Sequence, residues 1–128
     1  MICAMCVTIG VPYTPESVFA ASNVTSFSWQ YYLSSVDGRS QGVFHKLGSG
    51  TAQLKVNKCN NYSSSKKATV LLRKATSSYP YYRNCGDLSF YSKGTYTFGK
   101  VSSGSYWLHA SGGKSDCYKT AEGKVQNK

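Results

Sequence analysis

Acidic side chains are scarce in this 128-residue chain: five Asp and Glu stand against fifteen Lys and Arg, a net charge of +10. Histidine is scarcer still, with His45 and His109 alone. These shortages leave no metal-ligand spacing and no close carboxylate pair for acid–base work, so neither a metal site nor a cofactor is expected. No His-x-x-x-His or Gly-x-Ser-x-Gly motif occurs. No apolar run approaches the roughly 18 residues of a membrane-spanning helix. No segment sustains a helical period, which argues against an α-helical or α/β fold. No internal repeat and no interdomain linker stands out.

What is present begins with residues 1–20. MICAMCVTIGVP is apolar, Pro12 and Pro15 break any helix, and Val18-Phe19-Ala20 is a small-x-small tripeptide of the kind a signal peptidase cuts after. The segment reads as a signal-peptide remnant, although no Lys or Arg precedes Gly10. Within it Cys3-x-x-Cys6 is apolar filler rather than a redox or metal pair. Residues 21–128 then form one secreted, extracellular domain. It keeps all fifteen cations and the four acids Asp37, Asp87, Asp116 and Glu122, fifteen minus four, or +11. One-signed charge of this size predicts attraction to an anionic polymer or membrane surface: teichoic acid, phospholipid head groups or acidic polysaccharide, with nucleic acid less favoured.

Period-two alternation recurs between Gly and Ser punctuation. Phe27, Trp29, Tyr31 and Leu33 alternate with polar neighbours, and so do Ala52, Leu54 and Val56; Ala68, Val70 and Leu72; Tyr96 and Phe98; and Tyr106, Leu108 and Ala110. Strands are expected near 25–33, 42–47, 51–58, 68–74, 88–92, 95–101, 105–110 and 117–121. That pattern predicts an all-β fold, an antiparallel β-sandwich of about seven to eight short strands. Gly48-Ser49-Gly50, Ser92-Lys93-Gly94 and Ser102-Ser103-Gly104 read as three-residue hairpin loops with Gly last. In that register Phe90 faces Tyr96, Phe98 faces Leu108 and Tyr96 faces Ala110. A C-terminal meander from 88 to 110 follows. Segments 60–67 and 75–84 read as long loops fit to carry a binding surface.

Candidate binding residues fall in three groups. Trp107 and His109 lie on the strand face opposite Tyr106 and Leu108, across from Gly99 and Thr97, where Trp107 could offer a flat platform to a sugar ring or a lipid interface. Tyr79, Tyr81, Tyr82 and Arg83 surround Pro80, which breaks ladder pairing, so some of these rings should be exposed beside cations. Lys66, Lys67, Arg73 and Lys74 bracket one strand. Of Cys59, Cys85 and Cys117, the expected disulfide is Cys59–Cys117. Asn23-Val24-Thr25 and Asn61-Tyr62-Ser63 match glycosylation sequons. The composition suggests a non-enzymatic binder of an anionic cell-envelope or extracellular target. The alternatives are a secreted bacteriocin-like antimicrobial toxin and a small ribonuclease using His45, His109 and a Lys.

Overall fold

Alternation becomes strand where the apolar members share one buried face. The computed structural model describes residues 25–128. In chain order it contains β1 (Ser26–Tyr31), β2 (Ser35–Asp37), the helical turn α1 (Gly38–Gln41), β3 (His45–Leu47), β4 (Gly50–Asn60) and β5 (Ala68–Ala75). β6 (Tyr82–Phe90), β7 (Gly94–Val101), β8 (Gly104–Gly112) and β9 (Lys119–Asn127) complete it. The expected signal segment, its cut site, Cys3 and Cys6 lie outside the described residues.

The strands form two antiparallel sheets packed face to face, as expected for an all-β sandwich. One sheet runs β1-β9-β4-β7. In the other, β2 and β3 lie end to end on one edge of β8, followed by β5 and β6. Taken as one edge strand interrupted by α1, β2 and β3 complete two four-row sheets in jelly-roll order. The inner faces interdigitate: Phe27, Trp29, Leu54, Val56 and Val125 from one sheet meet Val70, Leu72, Phe90, Tyr106 and Leu108 from the other. Burying these side chains contributes about 1.5–3 kcal/mol each. A polar chain crosses this core. Trp29 Nε1 donates to the Tyr62 hydroxyl at 3.0 Å, Tyr62 donates to Tyr31 at 3.0 Å, and Tyr31 donates to the Gly112 carbonyl at 2.9 Å.

The expected meander is not formed. β7 pairs with β4, β8 pairs with β5, and β6 pairs with β5, so segments 91–93 and 102–103 cross between sheets. Segment 48–49 does the same between β3 and β4. Among the described residues, β5 and β6 are the one pair of consecutive strands that hydrogen-bond to each other. Arch and hairpin make the same demand on sequence, apolar residues at alternate positions on the inner face, so periodicity does not separate them. Phe90 and Tyr96 do meet, with ring centres 5.6 Å apart, but from facing sheets. A Cβ on Gly86 would come within 3.0 Å of the Phe98 Cβ, another contact across the core.

Three segments also depart from expectation. The 42–47 strand is present but shortened to β3, with β2 and α1 in the unassigned stretch before it; β6 starts at Tyr82 inside a segment read as loop; and β9 runs on to Asn127. The Cys59–Cys117 bridge is absent: Cys59, Cys85 and Cys117 are all unbridged. Cys59 and Cys85 both pack against the core. The Cys59 thiol donates to the Tyr91 carbonyl, while Cys117 lies on the β8–β9 loop.

Candidate functional site: an arginine–aromatic cluster on one sheet face

The outer face of the β8-containing sheet is assembled by register. Alternation along β8 turns Trp107 and His109 away from the core. Their ladder neighbours are not Gly99 and Thr97, because β7 lies in the other sheet. Arg73 stands beside Trp107, while Leu71 and Asp37 flank His109. β6 extends the same rows with Asn84 beside Arg73 and Tyr82 beside Ala75.

The turn α1 completes the cluster. The Asp37 carboxylate caps it by accepting from the Arg39 backbone N–H at 3.3 Å, and Gly42 closes it at φ +72°. Gly38 lets the turn lie close on β8, since a Cβ there would meet the Leu108 carbonyl at 3.0 Å and the Trp107 Cβ at 3.2 Å. Arg39 is thereby held over the ring of Trp107 at 4.8 Å and over that of Tyr82 at 5.3 Å. Arg73 lies 4.4 Å from the Tyr82 ring centre. Phe44 and Tyr82 both meet Trp107 edge-on, at 6.0 and 5.9 Å.

Trp107 is therefore not an open platform. It is 1% exposed beneath the guanidinium and the two rings. Among the described residues its Nε1–H has no hydrogen-bond partner, and neither has His109 Nδ1. Leaving such a group unpaired costs about 1–3 kcal/mol. Burial, then the charge of Arg73, pushes the His109 imidazole below its ordinary pKa of 6.5, and Asp37 opposes this in part. Arg73 donates to Asn84 Oδ1 at 3.1 Å and sits 3.9 Å from the Asp37 carboxylate. That is the sole ion pair among the described residues. With acids so few, Arg39, Lys67, Lys74 and Lys119 lie against rings instead.

The structure gathers eight of the ten expected residues toward one end of the sandwich. Tyr79 and Tyr81 form an edge-to-face pair at 5.9 Å on the β5–β6 hairpin tip, 84% and 55% exposed. Arg83 pairs in register with Lys74, whose amino group donates to the Ser102 hydroxyl at 2.6 Å. Lys66 and Lys67 are not part of this group: they precede β5, at the far end of the strand from Arg73 and Lys74. His45 points into the core on β3, whereas His109 faces outward from the same sheet, so the two-histidine arrangement of a ribonuclease is not made. The Asn61 sequon is engaged: its side-chain amide donates to the Tyr118 carbonyl at 2.6 Å.

No family model, curated protein or solved structure matches this chain. The site is thus read from its own chemistry. Sequence reasoning missed Arg39, Phe44 and Asp37. The available signal was Asp37-Gly38-Arg39, a capping residue followed by a glycine between the expected strands 25–33 and 42–47. Elsewhere, a polar hollow of about 660 Å³ beside the β4 bulge is lined by Ser28, Gln30, Lys58, Asn60, Thr120 and Glu122. It holds one cation and one acid, and no unpaired buried donor, so its chemistry converges less than that of the arginine cluster.

Proposed function

We propose that this is a secreted, non-enzymatic binding protein whose arginine–aromatic cluster takes the acidic groups of an extracellular or cell-envelope polymer, such as teichoic acid or an acidic polysaccharide. One observation carries the reading: two guanidinium groups share the ring of Tyr82, beside a buried, unpaired Trp107 N–H, with the single carboxylate of Asp37 to offset them. Like charges held this close repel. A phosphate, sulfate or carboxylate between them relieves that repulsion and accepts charge-assisted hydrogen bonds from the planar guanidinium edges. Lys74, Arg83 and Lys46 lie at the same end and add long-range attraction. Tyr79 and Tyr81 provide exposed faces for sugar rings.

Binding of purified teichoic acid, measured by titration calorimetry at low salt, tests the proposal. The wild type should bind, salt should weaken it, and Arg39→Ala/Arg73→Ala should weaken it at least about tenfold. No binding at low salt, or equal binding of neutral dextran, overturns it. Intact mass of the protein recovered from culture medium tests the proposed export, with a chain beginning at Ala21 expected.

A further inference from the structure

We infer that the opposite end of the sandwich is a docking surface for an anionic phospholipid bilayer, with a lipid phosphate seated at Lys119. Registers place four segments at this end. β1 ends at Tyr31 opposite the start of β9, β4 ends beside Thr120, and β5 begins opposite both Phe90 and Gly112. Segments 32–34, 61–67, 91–93 and 113–118 therefore leave the sheets together.

Their exposed apolar groups are Leu33 at 74%, Tyr118 at 56%, Tyr91 at 45% and Tyr32 at 39%. Tyr32 and Tyr118 are in ring contact at 5.0 Å. Around them stand the exposed cations Lys66, Lys67, Lys93 and Lys114, against Asp116 alone in these four segments. A protruding leucine, a set of tyrosines with polar tips and a rim of lysines match the layered chemistry of a bilayer surface: acyl boundary, interface and anionic head groups.

The pocket beneath gives the surface a specific seat. A hollow of about 250 Å³ is lined by Tyr32, Leu33, Gly113, Lys114, Asp116 and Lys119 among others. Lys119 is 2% exposed, and among the described residues no carboxylate lies within ion-pair distance of it. Its ammonium donates to the Tyr32 carbonyl and lies 5.3 and 5.9 Å from the ring centres of Tyr31 and Tyr32. Held by one carbonyl and two rings, this buried ammonium makes no ion pair among the described residues, Asp116 lining the hollow outside that distance, and a head-group phosphate entering the hollow supplies the pairing charge.

Co-sedimentation of the full chain with phosphatidylglycerol-containing vesicles, against pure phosphatidylcholine vesicles, tests this. Binding to the anionic vesicles alone is expected, and it should weaken as salt rises. Leu33→Asp, at an exposed position that leaves folding intact, should weaken it at least about tenfold, since a charge replaces the apolar contact. Lys66→Glu/Lys67→Glu should weaken it by about fivefold or more per lysine. Lys119→Met should reduce binding while circular dichroism confirms the fold. Arg39→Ala/Arg73→Ala should weaken it far less than Lys66→Glu/Lys67→Glu does, so this end and the arginine cluster fail separately. Absent binding at low salt, equal binding to phosphatidylcholine, or full binding by Leu33→Asp overturns the inference. So does complete displacement by inorganic phosphate, which marks a free-anion site. Loss of a dimer in Leu33→Asp without any vesicle binding assigns the surface to a second copy instead.

Discussion

The Arg73 guanidinium lies 4.4 Å from the ring centre of Tyr82, while Arg39 occupies the same ring at 5.3 Å. Two cations on one tyrosine form a contact that neither residue makes alone. Its consequence is a dependence on shape as well as charge. Arg73→Lys keeps the charge but loses the planar fork and the bond to Asn84. It should lower teichoic acid affinity several-fold, and Arg73→Glu should abolish binding by calorimetry. Stability should fall by about 1 kcal/mol in the Lys variant, since the Arg73 side chain is only 14% exposed and its bond to Asn84 is lost.

The depressed pKa of His109 predicts acid sensitivity. Folding favours the neutral ring, so the unfolded chain takes up the proton first as pH falls. Stability should be full above 6.5 and decline as pH drops from there toward the folded-state value. Urea unfolding across this range should show that loss in the wild type and a flatter profile in His109→Gln. An equal slope in both proteins would assign the loss to other groups.

Tyr62 both receives the Trp29 N–H and donates to Tyr31, deep in the sandwich. Tyr62→Phe keeps the ring and removes the hydroxyl, leaving Trp29 Nε1 without an acceptor. The cost should be about 1–3 kcal/mol by chemical denaturation. Tyr31→Phe also breaks two bonds, leaving the Tyr62 O–H without an acceptor and the Gly112 carbonyl without this donor, and should cost a similar amount.

The three thiols predict insensitivity to reduction. Cys117→Ser should change stability by less than about 1 kcal/mol, whereas loss of a structural disulfide costs about 2–5 kcal/mol. Peptide mapping without reduction should recover no Cys59–Cys117 link. Burial also raises the Cys59 thiol above its usual pKa, so it should alkylate slowly near neutral pH.

The sequence by itself determined the local state of the chain. Alternation at Phe27-Trp29-Tyr31 and Ala68-Val70-Leu72 set which side chains face inward, and the same parity turned Trp107 and His109 outward, because successive side chains in a strand must point to opposite faces. Pro80 with Tyr79 and Tyr81 was legible as an exposed loop, since proline cannot donate to a ladder, whereas Tyr82 begins β6. Only the tertiary structure decided which strands pair. Phe90 and Tyr96 satisfy a hairpin and an arch equally well, and the choice rests on long-range packing of β4 with β7 and of β5 with β8. The arginine cluster has the same origin. Arg39, Arg73, Tyr82 and Trp107 come from α1, β5, β6 and β8, and no local spacing relates them; they converge because sheet register aligns three strands and Gly38 lets the turn settle on the fourth residue's ring.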